Sequence, residues 1–463
     1  MVQPQQPRRL LGGVPSSAEQ GVYIGLAAAL ALAQILGLAL HAGAADYLRV
    51  PATSLLRFRF GFDQLGHLGV ALALCWCALL AVLLVAFHRN KAPCLASARE
   101  IGRFMTSPLG SLAWVLVSTG LFLLLRNEFV NQDGRAFAAR FLADVPTKGA
   151  HVTHDEMWEL YIHSKFWLWT TMRYGWSVIQ SYQFLSAIAG GVFVFLLIRS
   201  CALLLPGNPL VLFLAIASGG FMQLFFGDVE NYTMTAALIL LYLFSALLYL
   251  QGKLPLAVPS AALAVAITFH LLAGFLLPSL AYLFWGQIRR RGWRGVGLGL
   301  TLFAGIILAT LVFFAFHNLP ITDLFYKSHA FGHGGHILLM LARPSTSYYW
   351  QQLNLLALLF PGFIFIFPLL VFKRIPWDPP NIFLAIATLF LLAFQLSWKA
   401  QLGVYDDWNL YAAAAIPFSL LVWRNVLSNV SFPLKAETVA VVIALAGVHS
   451  LAWILSNRLW GFL

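Results

Sequence analysis

The sequence predicts an all-α fold, a polytopic transmembrane bundle of about 13 spans with two long outer loops that carry interfacial helices. Three observations predict it. Hydrophobic residues make up 60% of the 463 residues and charged residues only 10%, whereas soluble domains carry roughly 25% charged residues. The mean hydropathy is +0.80. Apolar stretches close to the roughly 20 residues that cross a bilayer recur along the chain.

Most of these stretches are each interpreted as one span. They cover residues 20–42, 66–88, 109–125, 179–204, 209–226, 232–251, 296–316, 351–372, 381–397, 408–424 and 438–456. Residues 255–286 are too long for one ordinary span, and Pro259, His270 and Pro278 interrupt them. The arginine-rich segment 287–295 follows. If 255–286 is a tight helical pair, segment 287–295 lies in the cytoplasm, where positive charge concentrates. The N-terminus is then inside and the C-terminus outside.

The charge distribution separates the two faces. The net charge is +12, which lysines and arginines of cytoplasmic loops explain without a nucleic-acid partner. Of the 17 acidic residues, this topology keeps only Glu19, Glu100, Asp378 and Glu437 inside. The acidic excess predicts polar chemistry on the outer face.

Two outer loops, 126–178 and 317–350, are long enough to be functional. The first is rich in aromatic residues and histidine, which predicts an interfacial helix lying on the membrane. Four tryptophans would anchor it: Trp158, Trp167, Trp169 and Trp176. No internal repeat supports an inverted-repeat transporter.

The first outer loop holds two acidic motifs. Asp133 precedes Gly134 shortly after a span, so it either faces the membrane surface or belongs to a simple turn. Asp155 and Glu156 come later in the loop. Thr153 with Glu156 fits a capping box, in which Glu156 would only cap a helix. The alternative is a binding or metal site.

Further polar residues lie where apolar segments end. Asp228, Glu230 and Asn231 stand between two apolar spans, where ionisable groups are functional by default. His270 lies at the tip of the predicted helical pair, either as a satisfied core residue or as a functional one. Asp406 and Asp407 precede Trp408 at the outer mouth of a span. A helix N-cap with an interfacial Trp would explain only one of these two acids.

The second outer loop is cationic. Lys327, His333, His336 and Arg343 suit the phosphate group of a lipid at the outer surface. The alternative interpretation is a mobile loop without a ligand.

These motifs, in their order along the chain, resemble the GT-C class of membrane glycosyltransferases, including uncharacterised bacterial members. The resemblance covers roughly residues 109–425. The segments that carry it are "NQDG" at 131–134, "GDVENY" at 227–232, "FHLLAGFLLPSLAYL" at 269–283, "WQQLNLLALLFPG" at 350–362 and "DDWNLYA" at 406–412. Asn409 departs from the pattern, because a second acid is expected there.

The resemblance implies an inverting transfer of a sugar from a polyprenyl-phosphate donor to a glycan, lipid or protein acceptor. The active site would face outward from a bacterial plasma membrane. Asp133 would be the general base. The substrate-binding residues would be Asp155, Glu156, Asp228, Glu230, Asn231, His270, Lys327, His333, His336, Arg343, Asp407 and Trp408. The sequence requires no cofactor and no metal-ligand set, although some members of the class use a divalent metal.

The resemblance also implies a division of the chain. Residues 1–108 would form a tail and two extra helices, 109–425 the catalytic membrane core, and 426–463 a C-terminal helix. Membrane lipids are expected partners. Two other classes stay open: a multi-span transporter of a polar or lipid-linked solute, and a membrane O-acyltransferase that uses His270.

Overall fold

The fold is described here from a computed structural model, which covers residues 17–39, 63–64, 70–128, 132–153, 155–293, 295–317, 346–398, 403–428 and 434–459. These residues form α-helices and short 3-10 helices, and no strand occurs among them. The α-helices are α1 (Ser17–Ala39), α2 (Val70–Arg89), α3 (Lys91–Thr106), α4 (Pro108–Leu124), α5 (Gln132–Lys148), α6 (Met157–Tyr174), α7 (Val178–Leu204), α8 (Pro209–Ala217), α9 (Thr233–Leu250), α10 (Ala257–Phe269), α11 (Leu277–Arg291), α12 (Val296–Phe316), α13 (Thr346–Leu359), α14 (Ile366–Val371), α15 (Pro379–Ser397), α16 (Trp408–Ser428) and α17 (Leu434–Leu459).

The all-α membrane fold is confirmed, but the count of 13 spans is not. The described residues contain eight helices long and apolar enough to cross a membrane, or up to ten if each of two bent pairs counts as one span. Helices α4 and α10 are apolar but shorter. The composition of these helices is that of an integral membrane protein.

Two predicted single spans are broken. The stretch 209–226 is helix α8 followed by a 3-10 helix, Gly220–Phe225. The stretch 351–372 bends by 105° between α13 and the segment Pro361–Val371. The two breaks pack against each other: a Cβ on Gly219 would lie 2.7 Å from the Leu359 carbonyl oxygen, and one on Gly220 would collide with that of Leu358. Only glycine permits this approach.

The predicted helical pair at 255–286 is confirmed as two helical segments. Helix α10 ends at Phe269, and His270 adopts an extended backbone conformation. A 3-10 turn, Leu271–Leu276, leads into α11, and Pro278 falls in the first turn of α11, where a missing N–H is tolerated.

The segment 126–178, predicted to be the first outer loop, is largely helical, as predicted, and contains α5 and α6. Its tryptophans differ in environment. Trp167 is buried, so its predicted role as an interfacial anchor is wrong. Trp158 donates from Nε1 to Thr310 Oγ1 over 3.0 Å and stacks on Phe313 of α12. Trp169 is exposed, as an anchor would be.

Helix α16 lies at the centre of the bundle. It packs against α9, α15 and α8, and nearly all of its side chains are buried. Helix α12 is more apolar than α16, yet most of its surface is exposed and therefore suits contact with lipid. Near the N-terminus, α1 packs along α17, and Arg374 pairs with the buried Glu19 of α1 at 2.6 Å.

Candidate active site

The carboxylate of Glu159 connects the segment 126–178 to the bundle. The side chain of Glu159 on α6 is fully buried and accepts three hydrogen bonds at the start of α9. The donors are Met234 N at 3.1 Å, Thr235 N at 3.1 Å and Thr235 Oγ1 at 2.9 Å. Exposed N–H groups and the helix dipole make a helix start favourable for an acid. Burial nevertheless raises the pKa of Glu159 to about 7.

Glu156 lies one turn earlier and joins three chain segments. Its Oε2 accepts from Asn231 Nδ2 at 2.9 Å and from Thr153 Oγ1 at 3.3 Å. Its Oε1 lies 3.5 Å from His270 Nε2. Glu156 is the N-cap residue of α6 but makes no side-chain capping bond, so the capping-box interpretation is wrong. The side chain instead holds the Asn231 turn and the His270 turn together.

The protonation of His270 follows from its contacts. Leu272 N donates to its Nδ1 at 3.1 Å, so Nε2 carries the proton and faces Glu156. Burial disfavours the imidazolium, but Glu156, Asp155 and Glu159 outweigh it and raise the pKa of His270 above its usual value. Asp155 is tied to the same turn, because its carbonyl accepts from Leu271 N at 2.9 Å.

Tyr232 lies at the centre of the acidic residues. Its ring stacks on His270 with the ring centres 5.0 Å apart. Burial raises the pKa of the Tyr232 phenol well above its usual value, and four nearby carboxylates raise it further. These carboxylates belong to Glu156, Glu230, Asp407 and Asp155. Four acids from three distant parts of the sequence therefore surround one phenol.

A buried aromatic layer supports this arrangement. Tyr182 on α7 donates to Asn231 Oδ1 at 3.1 Å, and His163 stacks on Tyr182 with ring centres 3.8 Å apart. His163 Nδ1 lies 2.8 Å from the Glu159 carbonyl and donates to it. Burial lowers the pKa of His163 to about 4, so this imidazole is neutral.

Asp228 connects the acid-bearing turn to the central helix. Its Oδ2 accepts from Asn409 Nδ2 on α16 at 3.2 Å. Burial raises the pKa of Asp228 to about 7 against the opposing effect of Asn409. The neighbouring Trp408 packs edge-on against Trp453 of α17 with ring centres 4.7 Å apart. The start of α16 is thus held on two sides.

The turn that carries Asp228 begins at Gly227, whose φ of +79° favours glycine. A Cβ there would lie 3.0 Å from Arg126 Cβ. Asn127 fixes the end of the preceding segment: its carbonyl accepts from Gln183 Nε2 at 2.7 Å, and its Oδ1 accepts from Gln223 Nε2 at 2.6 Å.

Comparison with solved structures gives two matches, both of ArnT from Cupriavidus metallidurans, one bound to undecaprenyl phosphate and one in the apo state. Each match has a TM-score of 0.51 at 12% sequence identity and covers 75% of this chain and 76% of ArnT. ArnT is a GT-C glycosyltransferase. The chain has a GT-C-like fold. No protein-family model matches the sequence, and no curated protein does.

Within this GT-C-like fold, eight of the predicted substrate-binding residues fall in the described part of the chain and at one end of the bundle. They are Asp155, Glu156, Asp228, Glu230, Asn231, His270, Asp407 and Trp408. Glu156, Asn231 and His270 are in direct contact, and Asp228 reaches α16 through Asn409.

The other predicted residues are outside the described part. The backbone of Asp133 lies in the first turn of α5, but its side chain is not among the described ones. Lys327, His333, His336 and Arg343 lie in 318–345, which is outside the described residues. The roles predicted for these five residues stay predictions.

Several residues of the candidate site were not among those predicted to bind substrate. Glu159 was visible in the sequence as an acid within an aromatic helix, but its target at the start of α9 was not. Tyr182 lies in an ordinary apolar span. Asn409 stands where a second acid was expected and instead donates to Asp228.

A metal site is not evident in the described residues, where no group of three or more His, Cys, Asp or Glu side chains could hold an ion. Glu156 Oε1 lies beside His270 Nε2, but that nitrogen carries the proton of the neutral ring and would have to lose it to bind an ion. Two ligands alone do not make a protein metal site.

Proposed function

We propose that this protein is a membrane glycosyltransferase that moves a sugar from a polyprenyl-phosphate donor to an acceptor hydroxyl on the outer face of a bacterial plasma membrane. One observation carries the proposal: direct contacts join Glu156 at the start of α6 to Asn231 and His270, and Asp228 to Asn409 of α16, at one end of a GT-C-like bundle. ArnT, with a similar fold, was crystallised with undecaprenyl phosphate. Small-molecule sites place a few convergent polar groups among apolar and aromatic side chains, and Glu156, Asn231 and His270 are such groups.

The proposed reaction is a single inverting displacement. Asp133 takes the proton of the acceptor hydroxyl, and the resulting oxygen attacks the anomeric carbon of the donor. The bond between this carbon and the phosphate oxygen breaks as the new glycosidic bond forms. The electron pair leaves on the polyprenyl phosphate, and the sugar is transferred with inversion.

The leaving phosphate needs positive charge beside it. His270 can supply it once its Nδ1 releases the contact with Leu272 N and takes up a proton, which the raised pKa favours. In the proposal Lys327, His333, His336 and Arg343 approach the same phosphate from the second outer loop. Charge-assisted hydrogen bonds of this kind are about twice as strong as neutral ones.

The acids that do not take part in proton transfer would hold the sugar. A carboxylate is a strong acceptor for sugar hydroxyls. Glu230, Asp407 and Asp155 lie near Tyr232. Trp408, which is buried against Trp453, would position Asp407 at the start of α16. Glu156 would orient both His270 and Asn231. A divalent ion between Glu156 and His270 would require further ligands from substrate or water, and no step of the proposed reaction depends on it.

The position of the acids favours a transferase over a transporter. The described acids of the cluster lie at helix starts and turns, whereas the coupling sites of transporters lie near the middle of the bilayer. A transferase that takes its substrate from the membrane surface needs its polar groups at the surface.

The test uses the purified protein in detergent with a panel of polyprenyl-phosphate sugars and a mixture of candidate acceptors. Mass spectrometry measures the release of free polyprenyl phosphate. Asp133→Asn should reduce release by about 10²–10⁴-fold, the usual contribution of general base catalysis. Asp144→Asn is the matched control on the same helix, because Asp144 pairs with Lys148 and His151 away from the acidic cluster.

The outcomes separate the parts of the proposal. Release by wild type and by Asp144→Asn, but not by Asp133→Asn, supports the function and the base. Equal release by all three proteins refutes Asp133 as the base while keeping the transferase. A folded protein that neither binds nor cleaves any donor of the panel refutes the function, and proteoliposome flux of the same donors then tests the transporter.

A further inference from the structure

An apolar cavity lies at the opposite end of the bundle from the acidic cluster. Its volume is about 310 Å³. It extends to Leu427 on α16, which is 19 residues after Trp408 and therefore roughly 28 Å from the candidate active site along the helix. Helices α3, α8 and α17 form its walls. Nothing in the proposed transferase reaction uses this cavity.

The side chains that line the cavity are mostly apolar, and along one side several of them are small. On α17 the cavity follows Ala436, Val439, Ala440, Ile443 and Ala444, a single helix face about 12 Å long. The three alanines leave the space that larger side chains would fill. Among the described residues that line the cavity, Asn208 carries the polar side chain.

Helix α3 gives the cavity a charged rim. Lys91, Cys94, Leu95 and Ala98 recur at helical spacing, and the last three line the cavity. Lys91 therefore lies at the mouth, where its Nζ is 3.0 Å from Glu437 Oε1.

Basic residues outnumber acidic ones around this mouth. Between 88 and 103 the chain carries Arg89, Lys91, Arg99 and Arg103 against Glu100. Counting Glu437, which pairs with Lys91 and His88 at the mouth, the basic residues still outnumber the acids.

The orientation of α3 fits a membrane surface. It is bent by 97° from the apolar helix before it. If α2 crosses the membrane, α3 lies in the plane of the surface. Its Ile101 and Phe104 are exposed beside Arg99 and Arg103, the composition of an interfacial amphipathic helix.

We propose that this cavity binds one hydrocarbon chain of an anionic phospholipid, with the phosphate of the headgroup on the basic rim of α3. The volume of about 310 Å³ spread over roughly 12 Å gives a mean cross-section of about 26 Å². This width suits a single hydrocarbon chain and is too narrow for another helix, whose diameter with side chains is about 10–12 Å. Lysine and arginine attract anionic lipid at the cytoplasmic surface.

The test is native mass spectrometry of the whole protein, released from a mild detergent after incubation with phosphatidylglycerol or with phosphatidylcholine of the same chains. Wild type should retain one phosphatidylglycerol and less phosphatidylcholine. Ala440→Leu should abolish retention, because the added side chain fills the cavity. Ala81→Leu is the matched control, since Ala81 is an exposed alanine of α2 outside the cavity lining.

Two further variants of the protein test the contact with the headgroup. Lys91→Gln should weaken phosphatidylglycerol binding by about fivefold, the contribution of one basic residue near an anionic surface. Arg173→Gln, an exposed arginine at the end of α6, should not change it. Equal retention by Ala440→Leu and Ala81→Leu, or equal binding of the two lipids, overturns the proposal. So does a dimer of the chain that Ala440→Leu dissociates, because the occupant would then be a second copy.

A second measurement does not depend on the folding of Ala440→Leu. Cys94 lines the cavity, and Cys201 is buried. In a Cys75→Ala, Cys77→Ala protein, phosphatidylglycerol should slow the alkylation of Cys94 by a maleimide several-fold more than phosphatidylcholine does. Equal rates in the two lipids would refute the site. This result is independent of the glycosyltransferase proposal, because it involves no donor.

Discussion

Gly227 fixes the path of the acid-bearing turn, and its replacement is the most direct test of that turn. Gly227→Ala should lower the free energy of unfolding by about 2 kcal/mol, because a positive φ is unfavourable for alanine and the new Cβ would lie 3.0 Å from Arg126 and 3.1 Å from Gln183. Thermal unfolding in detergent measures the loss.

The control separates backbone strain from crowding. Gly252 has a similar φ of +73°, but no atom lies within 4 Å of a Cβ placed there. Gly252→Ala should therefore cost only the backbone strain of about 1 kcal/mol. Equal losses at the two glycines would contradict close packing around the turn.

Glu159 makes the stability of the protein depend on pH. Its folded-state pKa of about 7 is above the usual 4.5, so the native state binds more protons than the unfolded state between these values. Stability is therefore lost as the pH rises through about 7. Most of the loss falls between the unfolded value of 4.5 and the folded value of about 7. Between pH 5 and 7 it is roughly 2 kcal/mol for one such group, and Glu159→Gln should remove it from the pH dependence of the thermal midpoint.

Asp144→Asn serves as the control for this pH dependence. The hydrogen bond from Lys148 lowers the pKa of Asp144 despite partial burial, so this carboxyl stays ionised over the whole window and its replacement should leave the slope unchanged. Asp228, with a pKa of about 7, contributes to the slope that remains in Glu159→Gln. A slope identical to wild type in Glu159→Gln would disprove the assignment.

Single residues of the site could be predicted only when their surroundings in the sequence were unusual. Asp228 and Glu230 stood out because acids between two apolar spans are costly without a purpose. Tyr182 and Asn409 gave no such signal, because their partners Asn231 and Asp228 are distant in the chain. Glu156 was visible, but its local capping alternative was equally consistent with the sequence.

At the scale of elements, an aromatic cluster joins α6 to α12, in which Trp158 and Tyr161 both pack against Phe313 and Phe314. Trp158 stacks on Phe313 at 4.9 Å and donates to Thr310. Trp158→Ala should release this side of α6 at a cost of about 2 kcal/mol, less than the 3–5 kcal/mol of a fully buried Trp. Limited proteolysis should then cut the 126–178 segment faster.

Trp169→Ala is the paired control for α6, because Trp169 is exposed on the same helix. Its proteolysis rate should match that of wild type. Equal acceleration by both variants would mean that α6 depends on general apolar character and not on the contact with α12.

Apolar periodicity predicted the helices well where the chain is regular. The predicted span 296–316 coincides with α12, and 179–204 differs from α7 by one residue. It could not predict that α12 faces outward while α16 is central, because lipid is as apolar as a protein core and both helices are apolar enough to cross a membrane. The break after Ala217 was also hidden, since it depends on Gly219 and Gly220 meeting carbonyl groups about 140 residues later.

At the scale of the whole molecule, the predicted orientation has a direct test. In a Cys75→Ala, Cys77→Ala protein, Cys94 on α3 should react with a membrane-impermeant maleimide only in inside-out vesicles. A cysteine introduced by Lys148→Cys, in a protein that also carries Cys94→Ala, should react in intact cells. Lys148 is well exposed in the first outer loop.

The two labelling experiments must give opposite results, because α4 alone separates Cys94 from the first outer loop. Reaction of both cysteines from the same side would refute the crossing by α4, which is only 17 residues long. Reaction of both from the reverse sides would invert the topology and place the acidic cluster in the cytoplasm.

The bond between Glu159 and the start of α9 has a consequence for protein engineering. A chimera that exchanges the first outer loop for that of another enzyme would bring a foreign α6 to Met234 and Thr235, whose N–H groups need a carboxylate at that position. Glu159 and Thr235 must therefore come from the same parent sequence, although 76 positions separate them. Recombination between them should yield poorly folded hybrids unless both sides of the joint come from the same parent.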